Sequence, residues 1–462
     1  MKEENLFRYE RDSMGEIPVP ADRYWGAQTQ RSLEHFKIGT GFEPMPPEII
    51  HAFGILKLGA VLTNAELLPA RMTEEKRHFI EQAAKEVASG LLDEHFPLVV
   101  WQTGSGTHTN MNANEVIANR GNELAGKKLC LPNDDVNMSQ SSNDCFPSAI
   151  HIASVLSIEQ RLIPAAERLV QVFRAQEDKH QGVLKSGRTH LQDAVPITFP
   201  QEISGWRSSL ERDIELIRLS LGPLRELALG ATAVGTGLNA PSGFAELAAE
   251  KITSLSGTAF YPASNKFHAL TSLDEVVFAH ASIKSLAVDM MKIANDIRWL
   301  ASGPRCGLGE LKIPANEPGS SIMPGKVNPT QCEQVTMVAV QIMGNDASVS
   351  FAASQGNFEL NVFLPLVAYN MLQSIRLLAD SISSFTVHCV EGLSANTDVM
   401  FRNVHRSLMS ATALNPIIGY EHAAQAAKLA YEENITLKEA CIKLNLLSEE
   451  QFDQILRPEK MV

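Results

Sequence analysis

The chain is 462 residues long, 44% hydrophobic and 20% charged, with a formal net charge of −13 and only 6% aromatic residues. Its charges form no basic stripe, which excludes an ordinary nucleic-acid binder, and a site for an anionic substrate would need its own local positive field. The length allows about two to four domains, and frequent Ala, Leu, Met and Glu favour helix over sheet.

Residues Met1 to Ser13 carry three glutamates and one aspartate with no apolar run, unlike a secretory signal or an Arg-rich transit peptide. No stretch approaches 18 apolar residues, so no membrane span is expected. The six cysteines, Cys130, Cys145, Cys306, Cys332, Cys389 and Cys441, form no CxxC pair and no iron–sulfur or zinc spacing. Scattered thiols suit a reducing cytoplasm, where the protein is expected.

The first 140 residues are broken and rich in Pro and Gly. Within them Gln102-Thr103-Gly104-Ser105-Gly106-Thr107-His108-Thr109-Asn110 runs into a helix through Val116 and Ile117. Ser139-Gln140-Ser141-Ser142-Asn143-Asp144 leads into the next helix, and a helical pattern covers 153–179. Gly187-Arg188-Thr189-His190-Leu191-Gln192-Asp193 reads as a loop, followed by Pro196 and Pro200. Ile203, Trp206, Leu210, Ile214, Ile217 and Leu221 predict a helix ending at Gly222-Pro223.

The most periodic segment is 271–303. Its apolar positions Val276, Ala279, Ile283, Leu286, Met290, Ile293, Ile297 and Leu300 alternate threes and fours, until Ser302-Gly303-Pro304 stops the pattern. A helix of about 30 residues is roughly 45 Å long, too long for one small core. After the loop Gly319-Ser320-Ser321-Ile322-Met323-Pro324-Gly325-Lys326-Val327-Asn328-Pro329 come helices over 333–352 and 366–385, then short amphipathic pieces over 421–433 and 437–446. The expected fold is mainly all-α, a central bundle of long helices between smaller helical parts, divided as 1–140, 141–397 and 398–462. No internal repeat or low-complexity segment interrupts it.

Three of the four polar breaks share a plan, a Ser/Thr/Asn-rich turn running into a helix start, with Asn328-Pro329 as a cap and first-turn pair. Helix starts present unpaired N–H groups and a positive dipole end, and Lys326 adds a full charge. Several such turns fit a compact ligand with two carboxylates. Each turn also has a plainer reading. A Ser or Asn before a helix is ordinarily a cap, His190 a hydrogen-bonded structural histidine, and Glu333 a dipole-friendly surface acid. The recurrence of the turns, their glycines and the setting of His190 between Thr189 and Gln192-Asp193 weigh toward function.

GSSIMPGKVNP, residues 319–329, resembles the signature loop of the fumarase/aspartase superfamily. VVWQTGSGTHTNMNANEV, SQSSND, RTHLQDAVP, PTQCE, GNFELNVF and LNPIIGYEHAAQAAKLA are similar to class II fumarases, so the resemblance covers essentially the whole chain. It implies a central bundle of long helices, a homotetramer with active sites shared between subunits, and no cofactor or metal. It implies that Ser320 is the base for the C3 proton of malate and that His190, paired with Glu333, handles water at C2. Ser105, Gly106, Thr107, Ser141, Ser142, Asn143, Thr189, Ser321, Lys326, Val327 and Asn328 match positions that hold the dicarboxylate. No nucleic acid or membrane is implied as a partner.

Leu131 stands where the family has a histidine of a secondary dicarboxylate site, so that site is expected to be impaired although Asn133 and Asp134 remain. Phe199-Pro200 replaces a usual Leu-Gly pair near His190. The competing readings are aspartate ammonia-lyase, which would share the Ser320 loop, and a non-catalytic scaffold. The SSN run at 141–143 favours the hydratase over the ammonia-lyase, and a relic would have lost one of Ser320, Lys326, Asn328 or His190.

Overall fold

A computed structural model describes residues 6–462; Glu3 and Glu4 of the acidic start lie outside the described residues. In chain order the main elements are strands β1 (Phe7–Asp12) and β2 (Gly15–Pro20), then helices α1 (Ala27–His35), α2 (Pro47–Leu67), α3 (Glu74–Ala88), α4 (Thr107–Ala125), α5 (Ser142–Ser157) and α6 (Ile163–Lys179). Strands β3 (Leu184–Thr189) and β4 (Gln192–Thr198) follow, then α7 (Phe199–Leu224), α8 (Phe244–Ser256), α9 (Lys266–Thr271), α10 (Asp274–Leu300), α11 (Thr330–Ala353) and α12 (Leu364–Phe385). The chain closes with α13 (Thr397–Arg406), α14 (Asn415–Ile418), α15 (Tyr420–Glu433), α16 (Leu437–Lys443) and α17 (Glu449–Ile455). The fold is mainly helical, as expected; α7, α10, α11 and α12 fall where the periodicity put them, whereas the 21-residue α2 lies in the stretch read as broken.

By internal contacts the chain divides into two compact units. One comprises the chain up to Pro164, Glu215–Ser285 and Val340–Ala379; the other comprises Ala165–Ile214, Leu286–Ala339 and the rest from Asp380. Each of α7, α10, α11 and α12 contributes one part to each unit.

In the first unit α2 is the core helix, packed against α3, α5 and α8. By length and composition it is apolar enough to cross a membrane, but most of it is buried inside the unit. Lys57 is a fully buried charge on it. The seam of α10 is buried from Val276 to Leu300, every predicted position included. One polar residue also lies in that seam. His280 is fully buried, with Nδ1 3.0 Å from Asp346 Oδ1 on α11 and Nε2 2.9 Å from Ser374 Oγ on α12, so one ring ties three helices together. A buried imidazole is tolerated because both nitrogens find partners.

In the second unit Trp206 of α7 packs against Phe173 and Phe199, at ring-centroid distances of 5.9 and 6.3 Å, and donates Nε1–H to Asp296 of α10 at 3.0 Å. Phe199 therefore anchors the start of α7 in the core. That helix runs two residues past Gly222, to Leu224, before stopping. The C-terminal helices have a small core of their own, built from Leu414, Ala426, Leu437, Cys441 and Phe452.

Candidate active site

The first unit holds two of the polar turns. Gly104 lies against the backbone of Val362, whose carbonyl would sit 1.6 Å from an added Cβ. Gly106 takes φ +74° at the start of α4, where a Cβ would meet the Phe146 ring at 2.1 Å, so only glycine fits there. Ser105 and Thr107 flank it with their hydroxyls 3.0 Å apart.

The second turn caps α5. Ser141 Oγ accepts the Asn143 N–H at 3.3 Å, and Asp144 returns a bond from the Ser141 N–H at 2.9 Å, a capping box. The plainer reading of Ser141 is therefore part of its role. Asp144 is fully buried; its Oδ2 accepts the N–H groups of Gly230 and Thr232 at 3.0 and 2.8 Å. Burial pushes its pKa up to about 6, against the pull of those donors. Asn143 Nδ2 donates to the Ala233 carbonyl at 2.8 Å, and Asn110 Nδ2 donates to Ser142 Oγ at 2.9 Å. These bonds bring together three segments, 102–110, 139–144 and 230–239. Between the last two lies a cavity of about 330 Å³ lined by Asn137, Gln140, Ser141, Ser142, Thr232 and Asn239.

The third of these segments was not singled out from the sequence. Thr232 has φ +55°, an uncommon conformation for a β-branched residue, and among the described residues its buried hydroxyl has no hydrogen-bond partner. The signal that could have found it is the Gly230, Gly235, Gly237 spacing, which breaks the helical pattern as the other turns do.

The second unit holds the other two segments. The expected loop around His190 is a β-hairpin, with Thr189 paired to Gln192 across a two-residue turn. His190 and Leu191 form that turn with φ of +57° and +60°, the type I′ geometry ordinarily taken by Asn-Gly. Two non-glycine residues held there store backbone strain, and both are exposed. The hairpin is rooted by charge. Arg188 donates to the fully buried Glu310 through Nη1 and Nη2 at 3.0 and 2.6 Å, and Asn403 Nδ2 donates to the same carboxylate at 2.9 Å. Although burial raises its proton affinity, Glu310 stays below the ordinary carboxylate range because Arg188 and Asn403 donate to it.

In the loop before α11, the Gly319 N–H donates to the Lys326 carbonyl at 2.9 Å, and Asn328 Nδ2 donates back to the Gly319 carbonyl at 2.6 Å. The helix begins at Thr330, so Asn328 is not its cap; its amide is used to close the loop. Ser320 Oγ accepts the N–H groups of Ile322 and Met323 at 3.2 and 3.1 Å. Ser321, Lys326 and Val327 are exposed. Lys326, Val327 and Asn328 line a cavity of about 670 Å³ with Arg298, Lys312 and Pro324, a pocket with three cations at its wall. Glu333 is exposed one turn into α11. Among the described residues, neither the His190 nor the Glu333 side chain has a hydrogen-bond or ion-pair partner within the chain, and no hydrogen bond joins the hairpin tip to the Ser320 loop.

Asn133 and Asp134 are exposed on a single turn at Pro132–Val136, beside half-exposed Leu131. The neighbouring Asp135 is buried and takes Lys76 Nζ at 2.7 Å and the Leu131 N–H at 2.8 Å. Among the described residues, His268, Asp274 and Glu275 form a cluster of metal-ligand type, with ligand atoms within 4.8 Å of one another. It includes no residue of the candidate site, and sequence spacing did not foresee it.

Comparison with known proteins shows the family. A family described as "Lyase" matches residues 15–344, and one described as "Fumarase C C-terminus" matches 411–462. Fumarate hydratase class II of Bacillus cereus is 58% identical over 99% of both chains, and that of Helicobacter pylori strain J99 is 57% identical over the same shares. The crystal structure of a recombinant class II fumarase from Schistosoma mansoni superposes with a TM-score of 0.96 at 43% identity, covering 98% of this chain and 99% of that one. The long-helix fold and the family match over residues 15–344 thus define a lyase. Within the lyases, the chain belongs to the class II fumarate hydratase family. The ammonia-lyase reading is not favoured.

Proposed function

We propose that the chain adds water to fumarate to give L-malate and runs the reverse elimination, with Ser320 as the base at C3 and His190 with Glu333 handling water at C2. In the elimination Ser320 Oγ takes the C3 proton, and the electron pair moves onto the adjacent carboxylate, giving it a second negative charge. Lys326 and Asn328 stabilise that charge. The pair then forms the C2–C3 double bond, the C2–O bond breaks, and the departing hydroxyl leaves as water with a proton supplied through His190.

The observation that carries this reading is the pair of N–H groups on Ser320 Oγ. A serine hydroxyl is a poor base unless its alkoxide is favoured. Two backbone donors aimed at the oxygen, with Lys326 on the same loop, stabilise the deprotonated form. Ser105, Gly106, Thr107, Ser141, Ser142, Asn143, Thr189, Ser321 and Val327 hold the two carboxylates.

The assembly is a homotetramer with sites shared between subunits. His190 and Glu333 are exposed, and among the described residues their side chains have no partner within one chain. Exposed apolar residues also line one face of two long helices: Phe278, Val288 and Trp299 on α10, and Met337, Val340 and Phe351 on α11. Such stripes mark association surfaces. The six cysteines are free and five are buried, which suits a reducing cytoplasm.

The test is turnover of purified protein with malate and aspartate in parallel. Fumarate should form from malate alone. Ammonia release from aspartate at a comparable rate would overturn the assignment.

A further inference from the structure

Behind the 102–110 and 139–144 turns sits Lys57, fully buried on α2. Its Nζ lies 2.8 Å from Asn110 Oδ1, 3.1 Å from Asn137 Oδ1 and 3.0 Å from Gln140 Oε1. Three amide oxygens and, at 3.7 Å, Cys145 Sγ converge on this nitrogen, an acceptor-rich cage that suits an ammonium, which has no lone pair to offer. Burial pushes its pKa below the ordinary lysine value, and nearby Cys145 and Asp144 offset only part of that shift.

This charge sets the orientation of every amide around it. Asn110 must turn its oxygen toward Lys57, which leaves its NH₂ facing Ser142 Oγ at 2.9 Å and Asn137 Oδ1 at 3.2 Å. Asn137 likewise turns its oxygen inward, accepting from Lys57 and also from Asn114 Nδ2 at 3.1 Å. Ser142 Oγ is thereby committed as an acceptor on its protein side. Among the described residues its hydroxyl proton has no acceptor, and it lines the cavity beside Thr232.

We propose that Lys57 is a positioning residue for the hydration reaction: it polarises the Asn110–Ser142 hydrogen bonds so that the Ser142 hydroxyl is left to donate to a substrate carboxylate. A neutral residue in its place would let Asn110 flip, and Ser142 would then spend its proton on the Asn110 oxygen. The cavity would lose a donor without losing a side chain. The inference rests on the reading of Ser142 as a substrate-holding residue.

Three full-length variants test it, each followed by KM and kcat for malate, by competition with the non-reacting dicarboxylate succinate, and by thermal unfolding. Asn110→Asp keeps an acceptor for Lys57 and adds an ion pair, but forces Ser142 to donate inward. It should unfold no lower than the parent while KM for malate and the succinate inhibition constant rise about tenfold or more, the effect of losing one hydrogen bond to a charged group. Kcat should fall less than KM rises. Lys57→Met should show the same KM-weighted change. Ser142→Ala separates the two layers. A normal KM there overturns the reading of Ser142 and this proposal with it, whereas a raised KM with normal values in Asn110→Asp overturns the proposal alone. If both Asn110→Asp and Lys57→Met fail to assemble, the network serves the fold and the proposal is equally overturned.

Discussion

Arg188 grips Glu310 with two hydrogen bonds, Nη1 to Oε2 at 3.0 Å and Nη2 to Oε1 at 2.6 Å, directly beneath the strained His190-Leu191 turn. Lys185 Nζ is 3.7 Å from the same carboxylate. Glu310 thus holds two cations and the hairpin's base. Removing one partner of a buried pair leaves an uncompensated charge, at a cost of about 3–5 kcal/mol. Glu310→Gln should therefore lower the unfolding free energy, read from denaturant titration, by an amount in that range. Activity should fall as well, since a looser root no longer holds His190 in its left-handed conformation.

Ser320→Ala should reduce kcat by about 10²–10⁴-fold, the usual contribution of a positioned base. Unfolding should be nearly unchanged, because the loop adds little to the core. His190→Asn should also be slow, by a smaller factor. Steady-state turnover with malate and a melting curve on each variant decide the point. Near-normal turnover in Ser320→Ala would move the base elsewhere.

Sharing of sites is open to a direct test. Inactive His190→Asn and Ser320→Ala proteins, unfolded together and refolded as a mixture, should regain activity. If each site draws its histidine and serine from different chains, random assortment leaves about one quarter of sites intact. Tetramers that form from the mixture and remain as inactive as their parents would refute the shared site.

Burial pushes His151 down to about 4, and its Nδ1–H donates to the Glu226 carbonyl at 2.7 Å. In the unfolded chain it titrates near 6.5, so between about pH 6.5 and 4 the unfolded state binds the extra proton. This contribution to stability is complete above that window and is lost as pH falls through it. Relative to a His151→Gln variant, the parent should lose about 3 kcal/mol between pH 7 and pH 4. Asp144, whose raised pKa gives the opposite slope, is common to both proteins and cancels in the difference. Parallel denaturant titrations at the two pH values measure it.

Activity should persist after exhaustive chelation and in air. The candidate site offers hydroxyls, amides, a lysine and one histidine with one acid, not a ligand set for a divalent ion. The His268, Asp274 and Glu275 cluster lies on other segments. Turnover that disappears with a chelator and returns with iron would count against the Ser320 mechanism.

The helical bundle was legible in the sequence because burial imposes a period on it. Val276 through Leu300 recur at threes and fours, and every one is buried. The polar turns were legible too, because Gly, Ser and Asn interrupt that period at 104–106, 139–143 and 319–328. What periodicity could not carry were the features set by contacts distant in sequence. The His190 loop is a hairpin because Glu310, more than a hundred residues away, anchors Arg188. Lys57 looks like an interruption in an apolar helix until Asn110, Asn137 and Gln140 close around it. Nothing local marks Thr232 itself within its Gly-rich stretch, where its N–H meets buried Asp144 at 2.8 Å and its φ is positive. A local pattern records which face of an element is dry. Only the tertiary structure decides which polar group meets which, since a buried charge or strained turn is stable only when distant partners arrive together.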